Sequence, residues 1–418
     1  MPAQWSLFTW SSVRVCASSL AALGAAACLG GTELVTPPRA SVGEFTLAFV
    51  PDSEDLSTAT TLGWQDGIPG LSVTVTPSDS SSAPRELTTS ANGMLTIPEV
   101  ATGQYIISAS RWLTDQERAQ LPAGDDALGF AARRTIVIGV PGSARVDVPA
   151  SHRKPLVISE WSFNVATGYQ YGGFLELYNN ADTTVYLDGL IIARGFELAS
   201  DYPNFPCALF VSSTNDPAGI WIRLIQKFPG TGREYPVAPG QTIVIATDAI
   251  DHRPLDRYGI DLRSADFEFT GQPDVNNPAV PNMVDMSLFN LDHGLRWAPL
   301  AVVAVLALPA DVDSLPRGRP SPKSSSEWVR LPREGMLDVL WIRSNYAGSE
   351  YAECPRLVHS NFDREGAAMR GTNEVVEVDF SVSRRALPEL VNGRQVLQHT
   401  RTGNADFIRT IRNPATIQ

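Results

Sequence analysis

The sequence predicts an all-β protein made of tandem β-sandwiches, and three observations lead there. Short segments alternate apolar and polar residues with period two, as in Gly70 to Thr76 (GLSVTVT), the mark of a strand with one buried face. Turn formers are frequent: 32 Gly and 31 Pro in 418 residues separate runs rich in Val, Ile and Thr, as short strands joined by many turns require. A chain of 418 residues is also too long for one hydrophobic core and divides into domains of roughly 100–200 residues.

Residues 1–27 read as a signal peptide. Val15 to Ala27 (VCASSLAALGAAA) is a short apolar stretch of small residues after Arg14. A membrane span needs about 20 apolar residues, so this stretch has the length of a signal core instead. Ala25-Ala26-Ala27 directly before Cys28 is a small-residue cleavage site. Residues 28–43 follow as a tether. Leu29 to Ser41 (LGGTELVTPPRAS) has Gly, Thr and Pro and no apolar period, as a flexible stalk has. A cysteine after such a site resembles the bacterial lipobox, which implies lipidation of Cys28 and anchoring to the cell envelope. Plain secretion with cleavage after Ala27 is the other reading.

Residues 44–150 form the first predicted sandwich. Phe45 to Val50 is a strand, and Gly70 to Thr76 is a second. Ala91-Asn92-Gly93 marks a turn, because Asn and Gly tolerate positive φ. Tyr105 to Ser110 alternates again, and Thr135 to Val140 and Ala144 to Val148 close the unit around Pro141-Gly142. Thr114 and Glu117 stand in capping-box spacing, so a short surface helix interrupts the strands. The GLSVTVT strand, the block TTSANGMLTIPEVATGQYIISAS and the two last strands resemble the carboxypeptidase-regulatory-like, or transthyretin-like, domain. That resemblance implies a non-catalytic accessory module.

Residues 154–418 form the second predicted domain, with strands at Pro155 to Ser162 and Gly173 to Asn179 and a longer one at Thr183 to Ile192. Glu160, the run Glu176-Leu177-Tyr178-Asn179, the turn Leu187-Asp188-Gly189-Leu190 and Val237 to Thr247 (VAPGQTIVIAT) resemble the lamin-tail domain. This implies an immunoglobulin-like sandwich used for contacts. Leu300 to Pro309 (LAVVAVLALP) is unbroken apolar sequence, too short for a membrane span and suited to a strand buried on both faces. Further strands are expected at Met336 to Ile342 and Val375 to Val382, with an exposed loop at Ser314 to Ser326. Arg384-Arg385, Asn392-Gly393-Arg394 and Thr400 to Phe407 resemble the close of an uncharacterised bacterial lipoprotein family that joins the two domain types.

Charge and residue spacing exclude several functions. The net charge of −12 and the lack of any Lys/Arg run longer than two argue against nucleic-acid binding. The five His, at 152, 252, 293, 359 and 399, show neither HxH nor HExxH spacing, so they read as scattered loop histidines and no metal site is expected. No GxSxG elbow occurs, and Gly230-Thr231-Gly232 lacks a third glycine. Glu160 and Glu176 are the candidate carboxylate pair for a hydrolase; the strand alternation instead places them on a solvent face or against a cation such as Arg194. Asp248, Asp251 and Asp256, and the loop around Asp274, lack EF-hand spacing and read as solvated acidic turns, with a structural calcium as the alternative. Cys207 and Cys354 could form one disulfide in an oxidising compartment, or stand as two separate thiols. Trp64 and Trp328 sit in polar contexts (GWQDG, SEWVR) and are candidate ligand contacts if exposed.

The reading is therefore a non-enzymatic envelope lipoprotein with no cofactor and a scaffolding, adhesive or accessory role. Its expected partners are a membrane, through the lipid, and an envelope protein or extracellular polymer. A glycan- or peptide-binding module and a carboxylate-dependent hydrolase are the alternatives.

Overall fold

The alternation in the sequence becomes strand pairing in the computed structural model, which describes residues 41–79, 82–162, 171–195, 216–271, 275–287, 301–319, 327–343, 358–368 and 380–415. The first eight strands are β1 (Ser41–Pro51), β2 (Ser72–Pro77), β3 (Arg85–Thr88), β4 (Met94–Ala101), β5 (Gly103–Trp112), β6 (Ala127–Ile138), β7 (Gly142–Val148) and β8 (Ala150–His152). They build two sheets, ordered β4-β1-β7 and β3-β2-β5-β6-β8. Between the sheets lie Leu47, Phe49, Val73, Val75, Ile97, Ile107, Phe130 and Val148, all essentially sealed from solvent. On β2, Val73 and Val75 point into this core while Ser72 is exposed, as period-two alternation requires. The 91–93 turn is tied to the sandwich: Gly93 has φ +74, and a Cβ there would stand 2.5 Å from the Phe49 carbonyl oxygen. Only glycine fits.

Two short helices punctuate this unit, α1 (Leu56–Thr61) and α2 (Asp115–Arg118). The Thr114/Glu117 capping box forms at α2 in both directions. One boundary differs from expectation. β6 begins at Ala127, eight residues before the expected Thr135. The run ALGFAA has no alternation because both its faces are covered. Phe130 enters the first core, whereas Leu128 packs with Leu387, Val391 and Val396 from the far end of the chain.

The remaining strands are β9 (Leu156–Ser162), β10 (Phe174–Asn179), β11 (Val185–Tyr186), β12 (Ile191–Gly195), β13 (Gly219–Lys227), β14 (Pro236–Val237), β15 (Thr242–Ala246) and β16 (Phe267–Glu268). After them come β17 (Val284–Asp285), β18 (Ala301–Ala307), β19 (Arg317–Gly318), β20 (Trp328–Pro332), β21 (Met336–Arg343), β22 (Ala367–Ala368), β23 (Phe380–Arg384) and β24 (Phe407–Ile411). Most of them form a six-stranded sheet, β16-β15-β10-β9-β23-β24, facing a larger one, β19-β20-β13-β12-β18-β21-β22, to which β17 adds at β13, while β11 and β14 pair with each other in a two-stranded sheet. The larger sheet is buried on both sides. Ala304 and Leu306 of β18 pack toward the six-stranded sheet, while Val305 and Ala307 pack with Trp328, Trp341 and Phe362. That two-sided burial accounts for the unbroken apolar run.

The expected solvent face of β9 and β10 is a correction. A β-bulge at Ser159 shifts the register, so Ile158 and Trp161 both face the inner core. The opposite face carries Glu160 and Glu176. It is covered, because Phe174, Val244 and Ala246 pack under Ala249, Leu262, Ala265 and Val280. Glu160 and Glu176 are each 1% exposed and stand opposite each other across the strands. Arg194, the cation expected beside them, lies on β12 of the other sheet.

Candidate functional site

The first sandwich and the second body meet at a cleft of about 600 Å³. One wall comes from Glu54, Asp55, Thr58, Asp125, Asp126 and His152; the other from Arg333, Asp338, Asn361, Phe362, His399 and Arg401. Local rules place the first wall. Asp52 caps a single 3₁₀ turn, Ser53–Asp55, by accepting from the Glu54 N–H. Asp125 closes the turn before β6 by accepting from Ala127 N. His152 ends β8, so its ring projects where the sheet stops.

His152 is held between carboxylates on both ring nitrogens. Nε2 lies 3.1 Å from Asp55 Oδ1, and Nδ1 lies 3.0 Å from Asp126 Oδ1 and 3.9 Å from Asp125 Oδ1. Burial opposes a charged ring, but the bonds to Asp126 and Asp55 outweigh it and raise the pKa to about 9. The ring is therefore an imidazolium at neutral pH and donates from both nitrogens. Burial likewise pushes the Asp55 carboxyl up; the His152 bond, the Ala150 N–H and nearby Arg364 bring it below the usual carboxylate range. Ligand atoms of Asp125, Asp126 and His152 lie within 4.8 Å of one another. A metal there would have to displace the His152 proton.

His399 and Arg401 of the second wall belong to the segment 398–406, which closes as α3 (Gly403–Asp406). This segment crosses to the first sandwich repeatedly. His152 N donates to His399 O at 3.0 Å, His399 N donates to Ser151 Oγ at 3.0 Å, and Arg133 Nη1 donates to Asn404 Oδ1 at 2.6 Å. Arg401 pairs with Glu54 at 2.7 Å and Arg364 with Asp52 at 2.9 Å. Behind this segment, Asp338 and Arg384 form an ion pair at 2.5 Å with both side chains 1% exposed. Asp338 also accepts from Ile158 N at 2.7 Å and meets His399 Nε2 at 3.2 Å. Burial raises the Asp338 carboxyl, yet Arg384 and His399 leave it below its ordinary value. Gly403 is required: a Cβ would come within 2.6 Å of Ala367 N.

No known protein-family pattern matches the chain, and no curated protein matches it. The chain is similar in fold to a solved DUF4876 family protein from Bacteroides thetaiotaomicron. The TM-score is 0.52 at 18% identity, over 90% of this chain and 98% of that one. At this identity the likeness speaks to fold alone. The pilin SpaD of Corynebacterium diphtheriae (TM-score 0.18, 12% identity, 37% of this chain and 40% of that one) and the TIE protein of Bacillus anthracis (TM-score 0.18, 12% identity, 50% and 28%) are too distant in shape to support an argument.

The residues singled out in the sequence fare differently. Cys28, Cys207 and Cys354 lie outside the described residues. Trp328 is a correction: it is 4% exposed inside the cluster with Val329 and Trp341, because the larger sheet is covered on that face, and it cannot present a ring to a ligand. Trp64 is half-buried against the first core. Phe130 meets its ring edge-on at 5.8 Å, and the Arg111 guanidinium lies 3.9 Å from the ring centre. Neither tryptophan lines the cleft. The loop acids are engaged locally: Asp251 binds Arg253, Asp261 binds Arg253 and Arg263, and His252 Nε2 bonds the Asp248 carbonyl at 2.8 Å. Gly230-Thr231-Gly232 wraps the Asp188 carboxylate, which accepts from Gly232, Glu234 and Tyr235 N–H groups. The histidines lie where loop residues were expected in two cases, His252 and His399, but these are buried; His152 ends β8 and is half-buried. Their sequence neighbours carried one usable signal: His152 ends an alternating strand beside Arg153 and Lys154.

Proposed function

We propose that the protein is a non-catalytic, exported accessory or adhesive protein, and that the inter-sandwich cleft is its recognition surface. One observation carries this reading. The cleft's ionisable centre is already neutralised, His152 by Asp55 and Asp126, and Asp338 by Arg384. General acid–base catalysis needs a group poised near neutral pH with a free lone pair or a proton to give. An imidazolium raised to about 9, with both of its protons already bonded to Asp55 and Asp126, is not poised near neutral pH and has neither proton directed at a substrate. Hydrogen-bond recognition of a polar chain remains, through Ser57, Asn361, Lys154 and Arg333 on the rim. No helix among the described residues is long and apolar enough to cross a membrane. Attachment through a lipid on Cys28 is the part of the reading that connects this body to the cell envelope.

Full-length protein offered to a panel of polysaccharides and peptides should bind one class saturably without releasing products. Asn361→Ala and Lys154→Ala should weaken that binding. Product release that is lost in Asp125→Asn would overturn the reading. For the anchor, Cys28→Ala should move the protein from the membrane to the soluble fraction; retention at the membrane would exclude lipidation at that residue.

A further inference from the structure

A second polar centre lies on the covered face of the six-stranded sheet. Glu160 and Glu176 are register partners there, and strand pleating turns Ser162, Ser381 and Ser383 to the same face. Glu176 Oε1 accepts from Ala415 N at 2.6 Å. Ser381 and Ser383 both bond Thr410 Oγ1, at 3.1 and 2.5 Å. Two oxygens are left over. Glu160 Oε1 and Ser162 Oγ are buried and have no hydrogen-bond partner among the described residues, and their residues are 1% and 0% exposed. A buried acceptor without a partner is costly, and it points to a missing one.

Charge points the same way. Burial, then the neighbouring Glu160 carboxylate, raises Glu176 to about 8, and Asp266 adds to that. Burial raises Glu160 to about 7 against the bonds from Ser381, Ser383 and Asn413 N and the charge of Arg412. The charge of Arg412 lowers Glu160, and its guanidinium also donates to the carbonyls of Gly172 and Tyr258. Ionising both carboxyls beside this guanidinium would leave negative charge uncompensated, and Asp266 would add to it.

We propose that this patch binds a hard divalent cation of the calcium class, held by the carboxylates of Glu160 and Glu176 and the Ser162 hydroxyl. The donors are all oxygens, which suits calcium and not a thiophilic or imidazole-seeking metal. Ligands fixed on neighbouring strands do not offer an ideal octahedron, and calcium tolerates that where magnesium does not. The rival occupant is a single proton shared by the two carboxyls.

The two are separated by titrating full-length, chelator-stripped protein with calcium chloride. Retained calcium is measured by equilibrium dialysis and stability by thermal melting. The wild type should retain calcium one-to-one, with an affinity in the range of about 0.1–1 mM typical of extracellular modules, and melt higher with it. Glu176→Gln should lose both effects, and Ser162→Ala should weaken the affinity several-fold without unfolding the chain. Asp251→Asn with Asp261→Asn, in the exposed acidic loop, should change neither. No calcium retained by the wild type would overturn the proposal in favour of the proton, and so would equal retention by Glu176→Gln.

Discussion

Two buried acidic centres in this protein solve the same problem in opposite ways. Behind the cleft, Asp338 is enclosed with Arg384 and His399 and also accepts from the Ile158 N–H, so groups from separate stretches of chain converge on its charge. Beneath the six-stranded sheet, Glu160 and Glu176 face each other, and the matching charge is incomplete. A matched ion pair locks one arrangement of the chain, because removing either partner strands the other. An unmatched pair leaves stability dependent on what the solution supplies. The first centre acts as construction and the second as a point of response.

The strongest test of that contrast is Arg384→Met. It leaves Asp338 buried without its cation, and removes the partner of Asp406 at 3.6 Å. A loss of about 3–5 kcal/mol is expected in chemical denaturation. A loss below about 1 kcal/mol would mean that the junction is not held by this pair.

Next in size is the pH response of the carboxylate pair, measured in chelator. Both groups have folded pKa values raised above the ordinary 4.5, to about 7 and about 8. Their contribution is fully present below pH 4.5 and is lost as pH rises through 7 and 8, since the folded form holds protons that the unfolded form releases. Counted as one proton shared by the coupled pair, this amounts to a wild-type loss on the order of 3 kcal/mol between pH 5 and 8 that Glu160→Gln with Glu176→Gln does not show. A wild-type profile parallel to that of the double variant would remove the distinction between the two centres.

The smallest effect concerns His152, whose partners are both charges and backbone. Its folded pKa, raised to about 9 from 6.5, makes its contribution complete below pH 6.5 and lost as pH climbs through 9. His152→Ala should cost about 1–2 kcal/mol at pH 7 and little or nothing at pH 10. Equal losses at both values would show that the ring acts by packing and not by charge.

The strands were legible in the sequence because alternation is a local property. Val73 and Val75 against Ser72 and Thr74 need no distant information. The β18 run was legible for a related reason, since a strand sealed on both faces writes an unbroken apolar string. The covered face of β9 and β10 was not legible. Glu160 alternates with Trp161 like any surface acid, and the residues that cover its face, Ala249, Leu262 and Val280 together with Arg412 and Asn413, lie elsewhere in the chain. The cleft was equally hidden. Ser151 and His399 are separated by 248 positions, and neither neighbourhood announces the other. The C-terminal resemblance had selected Arg384 and Thr400 to Phe407, the residues that form the junction, without indicating that they reach back to the first sandwich.

That reach has a consequence for how the molecule matures. The first sandwich has its own core by residue 150, yet Asp52, Glu54 and Ser151 wait for partners that leave the ribosome near the end of synthesis. Until those partners arrive, the early unit offers water a row of unmatched acids. A polypeptide cut short before residue 364 would keep that row open, and so stay distinguishable from a finished copy.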